Sequence, residues 1–231
     1  GSTPKTLATL VRKRDDVVNA PDDFATVSVA ARGFYALEFL LFDEGFFQPE
    51  DAAFRCALLQ AITADIASNA AAILANWQNE YADLITTPGN DTYRTSTEAA
   101  QQLFTALTTG LEFTETTRLG RPLGTFERPR PNRAEARRSG RSLRHVVLSL
   151  EANRELAFLI AADPALDQDF ADALEAAIAL DDPVFSGVAD PARRFRIEVL
   201  QQRVTNLRRY LLEQVGPRFG ITAGFNSLDG D

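Results

Sequence analysis

Glu38 occupies a position that helical spacing reserves for an apolar side chain. From Phe24 to Phe42 the residues Phe24, Val27, Ala31, Phe34 and Leu41 recur at steps of three and four, and Glu38 fills the one gap. A carboxylate on the buried stripe of an amphipathic helix costs several kcal/mol unless it is paired, metal-bound or protonated. Tyr35 lies three residues earlier and shares that helix face. A phenol and a carboxylate are hard oxygen donors suited to Fe(III) or another hard cation. On chemistry alone Glu38 reads more readily as a structural acid paired with an arginine, with Tyr35 donating to it. Gly33 costs a mid-helix position about 1 kcal/mol against Ala, so it marks a point where a second helix or a ligand comes close.

A second chemical feature is a reversal of charge. Arg128, Arg130, Arg133, Arg137, Arg138, Arg141 and Arg144 fall within 17 residues against one acid, Glu135. The run can bind an anion, supply the counter-charge for Glu38, or serve as a solvated loop. Arginines near a helix start oppose its dipole, which favours a task for some of them. His145 is the single histidine and stands three residues after Ser142. A Ser-His dyad also needs an orienting acid and an oxyanion hole, and the chain has no Gly-x-Ser-x-Gly elbow. One histidine excludes a His-Glu-x-x-His zinc site and the paired Glu-x-x-His of di-iron bundles. Asn153, on the inward line of its helix, is expected to hydrogen-bond a neighbouring helix. Cys56, among Ala53, Ala57 and Leu59, is expected in the core.

The elements that must carry these residues are all helical. The spacing predicts a helix over 22–43, started by Pro21-Asp22-Asp23. A second helix opens at Pro49-Glu50-Asp51, and its stripe runs Phe54, Leu58, Ile62, Ile66, Ala70, Ile73, Trp77, Tyr81, Leu84. Pro88-Gly89-Asn90-Asp91 stops it. A third helix begins at Ser96, with Leu103, Leu107 and Leu111 inward, and ends near Gly120. A Pro-, Gly- and Arg-rich loop covers 120–140. Further helices are expected over 141–162, 166–180 and 191–215, the last ended by Gly216-Pro217, and the tail 226–231 is expected to fray. The fold class is all-α, in two packed up-and-down helical bundles: 1–92, carrying the Gly-x-Tyr-x-x-Glu motif, and 93–231, a four-helix bundle. Two strong helices before residue 88 cannot bury a long apolar stripe alone. Either the second packs on the later bundle, or helices of the N-terminal bundle are missing from this chain.

Composition narrows the function classes. The 231 residues are 45% hydrophobic, enough for a real core, and the formal net charge is −8. That charge argues against nucleic acid as the main partner. No run approaches the roughly 18 apolar residues of a membrane span, so no membrane span is expected in this chain, and a single cysteine leaves no intrachain disulfide. The opening Gly-Ser, without a Met, reads as a tag remnant on a chain whose export signal has been removed.

The run Gly33-Phe34-Tyr35-Ala36-Leu37-Glu38-Phe39-Leu40-Leu41-Phe42 resembles the signature of imelysin-like proteins, the M75 peptidase family. Their motif is Gly-x-His-x-x-Glu, usually followed by Phe-Leu-Leu-Phe. Tyr93-Arg94-Thr95 and the helix from Ser142 to Leu156 are similar to the family's second half. The resemblance implies a protein of the bacterial periplasm or cell envelope, associated with iron uptake, with two four-helix bundles and a ligand between them. It implies iron, or a small anionic or iron-containing ligand, and other envelope iron-uptake proteins as partners. Gly33 and Glu38 match the motif, whereas Tyr35 stands where the family has histidine. A His/Glu metallopeptidase site would lose a ligand there, and an iron site would keep a tyrosinate. The expected ligand-binding set is Gly33, Tyr35, Glu38, Arg141 and Ser142, with Glu38 and Tyr35 on the metal. The expected activity is binding rather than catalysis, the alternatives being a scaffold with a degenerate site and an M75-type metallopeptidase.

Overall fold

A computed structural model describes residues 2–221, so the tail expected to fray lies outside the described residues. The described residues are mostly helical, with no strand among them. They form two compact units, Gly1–Asp83 and Leu84–Asp231. The division falls near the end of the second long helix, ahead of the Pro88 turn where the sequence reading puts it.

In the first unit the helices are α1 (Ser2–Lys13), α2 (Pro21–Phe24), α3 (Gly33–Phe42) and α4 (Ala52–Asn76). The single helix expected over 22–43 is in fact broken. Residues 25–32 form turns and a short 3-10 segment, Val29–Ala31. The local residues explain the break. Thr26 Oγ1 donates to Asp23 O at 2.8 Å, and Ser28 Oγ accepts from Ala30 N–H. Such side-chain bonds offer the backbone an alternative to the helix ladder, and β-branched Thr26, Val27 and Val29 add little helix propensity to resist it.

The core of this unit gathers Leu7, Leu10 and Val11 of α1, Phe24, Ala31, Ala36 and Leu40, and Leu58 and Ile62 of α4. The break changes which face of α3 is buried. Phe34 and Leu41, expected inside, are 75% and 49% exposed. Cys56 is exposed as well, not in the core, because it lies well around α4 from the inward Leu58 and Ile62.

Past Asn76, α4 widens into a π-helical segment, Trp77–Tyr81, and continues as α5 (Ala82–Thr86). Every residue over 67–80 is exposed, so the second half of the expected stripe is not core. By length and composition the helix Pro49–Thr86 could cross a membrane, and only 11% of its most apolar 18-residue window is buried. Alanines interleaved with Thr, Ser and Asn hide that property from a search for uninterrupted apolar runs.

The second unit packs α6 (Ser96–Glu112), α8 (Ser142–Ala161), α9 (Pro164–Ile178) and α10 (Pro191–Tyr210) around Phe104, Leu107, Leu111, Val146, Leu150, Phe170, Leu200 and Val204. A π-helical segment, Phe113–Leu119, leads from α6 into the short α7 (Gly120–Leu123), so the helical path runs past Gly120 before Gly124 (φ 57°) stops it. α10 continues through a π-helical segment to Val215, the expected end, and a 3-10 turn, Gly216–Phe219, follows it. Thr95 Oγ1 caps α6 by accepting from Glu98 N–H, and the Glu98 carboxylate reaches back to accept from Arg94 N–H at 2.7 Å, one residue ahead of the N-cap. Asn153 donates to Ser149 O within its own helix at 2.6 Å, not across to a neighbour. Its amide instead presses on Gly110 of α6, where a Cβ would lie 2.7 Å from Asn153 Oδ1.

Candidate functional site

Gly33, Tyr35 and Glu38 lie on α3, and the start of that helix is set by three adjacent residues. Gly33 has φ +76°, with nothing within 4 Å of a built Cβ. Its role is therefore backbone freedom at a helix start, not the mid-helix close approach that spacing suggests. Arg32 is extended, and its guanidinium forks onto Asp65 of α4, with Nε 2.9 Å from Oδ2 and Nη2 2.5 Å from Oδ1. Its third nitrogen donates to Ala25 O. The bond to Asp65 holds the Arg32 guanidinium above its ordinary pKa, although burial works the other way. Asn69 also donates to Asp65, at 3.2 Å. At the far end of α3, Arg55 of α4 donates to Phe46 O at 3.1 Å and stacks over Phe47. Contacts at Asp65 and Arg55 make α3 antiparallel to α4.

Within that frame Ala36 and Leu40 face the core, at 0% and 1% exposure. Glu38 is 8% exposed and Tyr35 50%. The sequence-derived expectation of a buried Glu38 holds, but its buried neighbours are Ala36 and Leu40 rather than Phe34 and Leu41. Arg32 and Asp65 escaped the sequence reading. Their signal was an arginine directly ahead of the motif glycine, with an acid on the inward side of the next helix.

Arg141 and Ser142 belong to the second unit. Arg141 is exposed at the N-cap of α8, where its side chain makes no capping bond. Ser142 is 2% exposed, and its Oγ has no hydrogen-bond partner. His145 turns to an acid rather than to Ser142, with Nδ1 3.5 Å from Glu135 Oε1. Arg118 holds the other oxygen of Glu135 at 3.0 Å, donates to Ser149 Oγ at 2.5 Å and stacks over Phe113. The lone acid of the arginine run is therefore paired with Arg118, while His145 Nδ1 makes no hydrogen bond.

Among the described residues no three of His, Cys, Asp and Glu converge as a metal-binding group. An open depression of about 410 Å³ in the second unit is lined by Asp169, Asn206, Arg209, Tyr210, Glu213 and Gln214, and none of the expected site residues touches it.

The imelysin model of the peptidase M75 family matches residues 3–211. The chain belongs to the imelysin family. No curated protein and no solved structure matches it. The matched span of this imelysin family member runs from α1 through the end of α10, and so takes in the α3 motif, the arginine run and the N-terminus of α8.

Proposed function

We propose that this imelysin family protein is a binding protein of the periplasm or cell envelope that takes up iron as a small anionic complex. Glu38 and Tyr35 are its metal donors, with Gly33 shaping the start of their helix. The observation that carries this reading is Glu38, an acid held at 8% exposure on an apolar helix, three residues from a phenol.

The donor set also says what form the metal takes. A carboxylate and a phenolate suit Fe(III), but two donors cannot fill its coordination shell, and no three of His, Cys, Asp and Glu converge elsewhere among the described residues. The remaining ligands then come from a chelator that arrives with the iron. Other envelope iron-uptake proteins are the partners that would deliver or receive such a complex.

The test is a thermal melt of the purified chain, alone and with Fe(III)-citrate, Fe(II), Zn(II) and Cu(II), repeated for Glu38→Ala and Glu38→Gln. A ligand at 100 times its Kd adds about 2.7 kcal/mol, several degrees in Tm. Iron should raise the Tm of the parent and not of Glu38→Ala. A visible tyrosinate-to-iron absorption that disappears in Tyr35→Phe would place Tyr35 on the metal. An iron response shared equally by both Glu38 variants, or absent in the parent, sinks the reading.

The shortage of converging donors favours one second reading, a non-catalytic scaffold in which Glu38 is structural. Its signature is a lower Tm in Glu38→Ala, by a few kcal/mol, and no response to any metal. Peptidase chemistry has less support, because the single histidine lies beside Glu135 in the second unit. Chelator-sensitive peptide turnover lost in Glu38→Ala would be needed to restore it.

A further inference from the structure

We propose that the end of the second unit where α8 and α10 begin is a docking surface for an anionic lipid membrane, held through the exposed arginines of 121–144 and the ring of Phe126. The inference rests on the reading above only in setting the chain at the cell envelope, where lipid surfaces are met. It uses no residue of the α3 motif and concerns the second unit by itself.

The first observation is charge. Residues 121–144 carry eight arginines against two acids, Glu127 and Glu135, and Glu135 is paired with Arg118. Arg121, Arg128, Arg130, Arg133, Arg141 and Arg144 are exposed and form no ion pair among the described residues. Acids gather instead where α8 ends and α9 begins, as Glu155, Asp163, Asp167 and Asp169. The 20 residues of α8 put its two ends about 30 Å apart. That is several times the roughly 8 Å over which physiological salt screens charge. The far acids therefore do not cancel the near arginines, although the net charge of the chain is −8.

The second observation is that this stretch is fastened to one end of the bundle. At Gly124 (φ 57°) the chain doubles back, so that a Cβ there would lie 2.5 Å from Arg128 O and 3.2 Å from Arg130 Cγ. Arg130 N–H donates to Pro122 O at 2.9 Å and Arg133 N–H to Arg130 O at 2.8 Å, while the buried Ala134 and Ala136 anchor the loop. Arg194 of α10 donates to Leu123 O at 2.7 Å. Leu143 N–H donates to Pro183 O at 3.1 Å, which ties the start of α8 to the connection leading into α10. The exposed arginines thus stand on a fixed platform made by the end of α7, the loop, and the starts of α8 and α10.

The third observation is Phe126, which chooses among anionic partners. It is 68% exposed, in a turn that Arg128 N–H closes onto Thr125 O at 3.1 Å. The Arg194 guanidinium lies 5.8 Å from its ring centre. Phe195, one residue after Arg194, is exposed at the same end. Small anions and acidic proteins would engage the arginines and leave these rings in water. A lipid interface takes both, because phosphates meet the guanidiniums while the rings enter the boundary between headgroups and acyl chains. Basic side chains interleaved with exposed aromatics therefore match an anionic bilayer better than any partner that offers charge alone.

The experiment sediments the full, metal-free chain with vesicles of phosphatidylcholine alone and of phosphatidylcholine with about a third phosphatidylglycerol. The parent should bind the anionic vesicles, more weakly as salt rises, and not the neutral ones. Arg128→Gln combined with Arg130→Gln should weaken binding by about 25-fold, about fivefold for each basic residue at an anionic surface. Its Tm should match the parent's, because both side chains are exposed and neither guanidinium makes a hydrogen bond among the described residues. Phe126→Ser should weaken binding while the salt dependence persists. Phe126→Trp, made with Trp77→Phe to remove the one native tryptophan, should shift its emission to the blue on anionic vesicles. Arg12→Gln, exposed on the first unit, should bind as the parent does. Glu38→Gln should also bind as the parent does, whether or not it still responds to iron, so the two proposals fail separately. No binding to anionic vesicles at low ionic strength, equal binding to neutral ones, or parent-like binding by the double arginine variant or by Phe126→Ser overturns the inference. Capture by immobilised poly-glutamate without binding to anionic vesicles overturns it as well, in favour of an acidic protein partner.

Discussion

Arg32 stands one residue ahead of the Gly33 to Glu38 motif, and its fork onto Asp65 ties the start of α3 to α4. The pair is well shielded, with side-chain exposures of 21% and 8%. Arg32→Gln removes the bidentate contact and leaves Asp65 with Asn69 as its remaining donor. The expected cost is about 1.5–3 kcal/mol, the usual worth of charged hydrogen bonds, read as a lower midpoint in urea. The same variant should weaken any response to iron, because Glu38 and Tyr35 take their direction from this helix start. An unchanged midpoint would show that α3 is held by Ala36 and Leu40 alone. At this scale the sequence was legible in part. An acid on an apolar helix stood out, and it is indeed buried. The Arg32–Asp65 pair did not stand out, because its members are 33 residues apart in the chain.

At the scale of elements, helix ends carry most of the specific chemistry. Asp163 caps α9 by accepting from Ala165 and Leu166 N–H, and it also receives Tyr210 OH at 3.1 Å and Arg218 at 2.9 Å. The bond from Leu166, aided by Arg218 and Tyr210, holds its carboxyl below the usual range. Asp167 is held low by Arg154. A carboxyl whose folded pKa is depressed adds stability above its unfolded pKa and loses it as pH falls through the folded value. Acid should therefore destabilise the second unit progressively below about pH 4, the unfolded Asp value. Asp163→Asn should flatten that acid limb, and Asp163→Ala should cost about 1–2 kcal/mol at neutral pH through loss of the cap. Chemical denaturation at pH 7 and pH 3 checks both. The start of α6 near Ser96 and the stop at Pro88-Gly89-Asn90-Asp91 were readable because the residues that set them act on adjacent backbone. The break at 25–32 was not, because its apolar spacing continues across turns that the backbone does not make helical.

At the scale of the whole molecule there are two cores, one in each unit, built from disjoint sets of residues. Phe170 is fully buried in the second, and Phe170→Ala should cost about 3–5 kcal/mol there. Amide hydrogen exchange should show that loss in the protected amides of α6, α8, α9 and α10, with those of α1 and α3 changed far less. Equal loss in both sets would mean that the units unfold as one. The exposed stretch 67–80 of the long helix should exchange faster than the Leu58 and Ile62 turns, since no packed side chains shield it.

The sequence by itself determined the helical class, the imelysin likeness, the stop before Pro88 and the end of the last long helix before Gly216-Pro217, and the burial of Glu38. Each rests on residues close together in the chain, where periodicity, capping and backbone propensity act. Only the tertiary structure decided that Gly33 begins a helix, that Phe34 and Leu41 face outward, that Cys56 is exposed, and that Ser142 Oγ has no hydrogen-bond partner. Those outcomes depend on which distant side chains compete for the same face or the same hydrogen bond, and spacing along one helix carries no record of that competition.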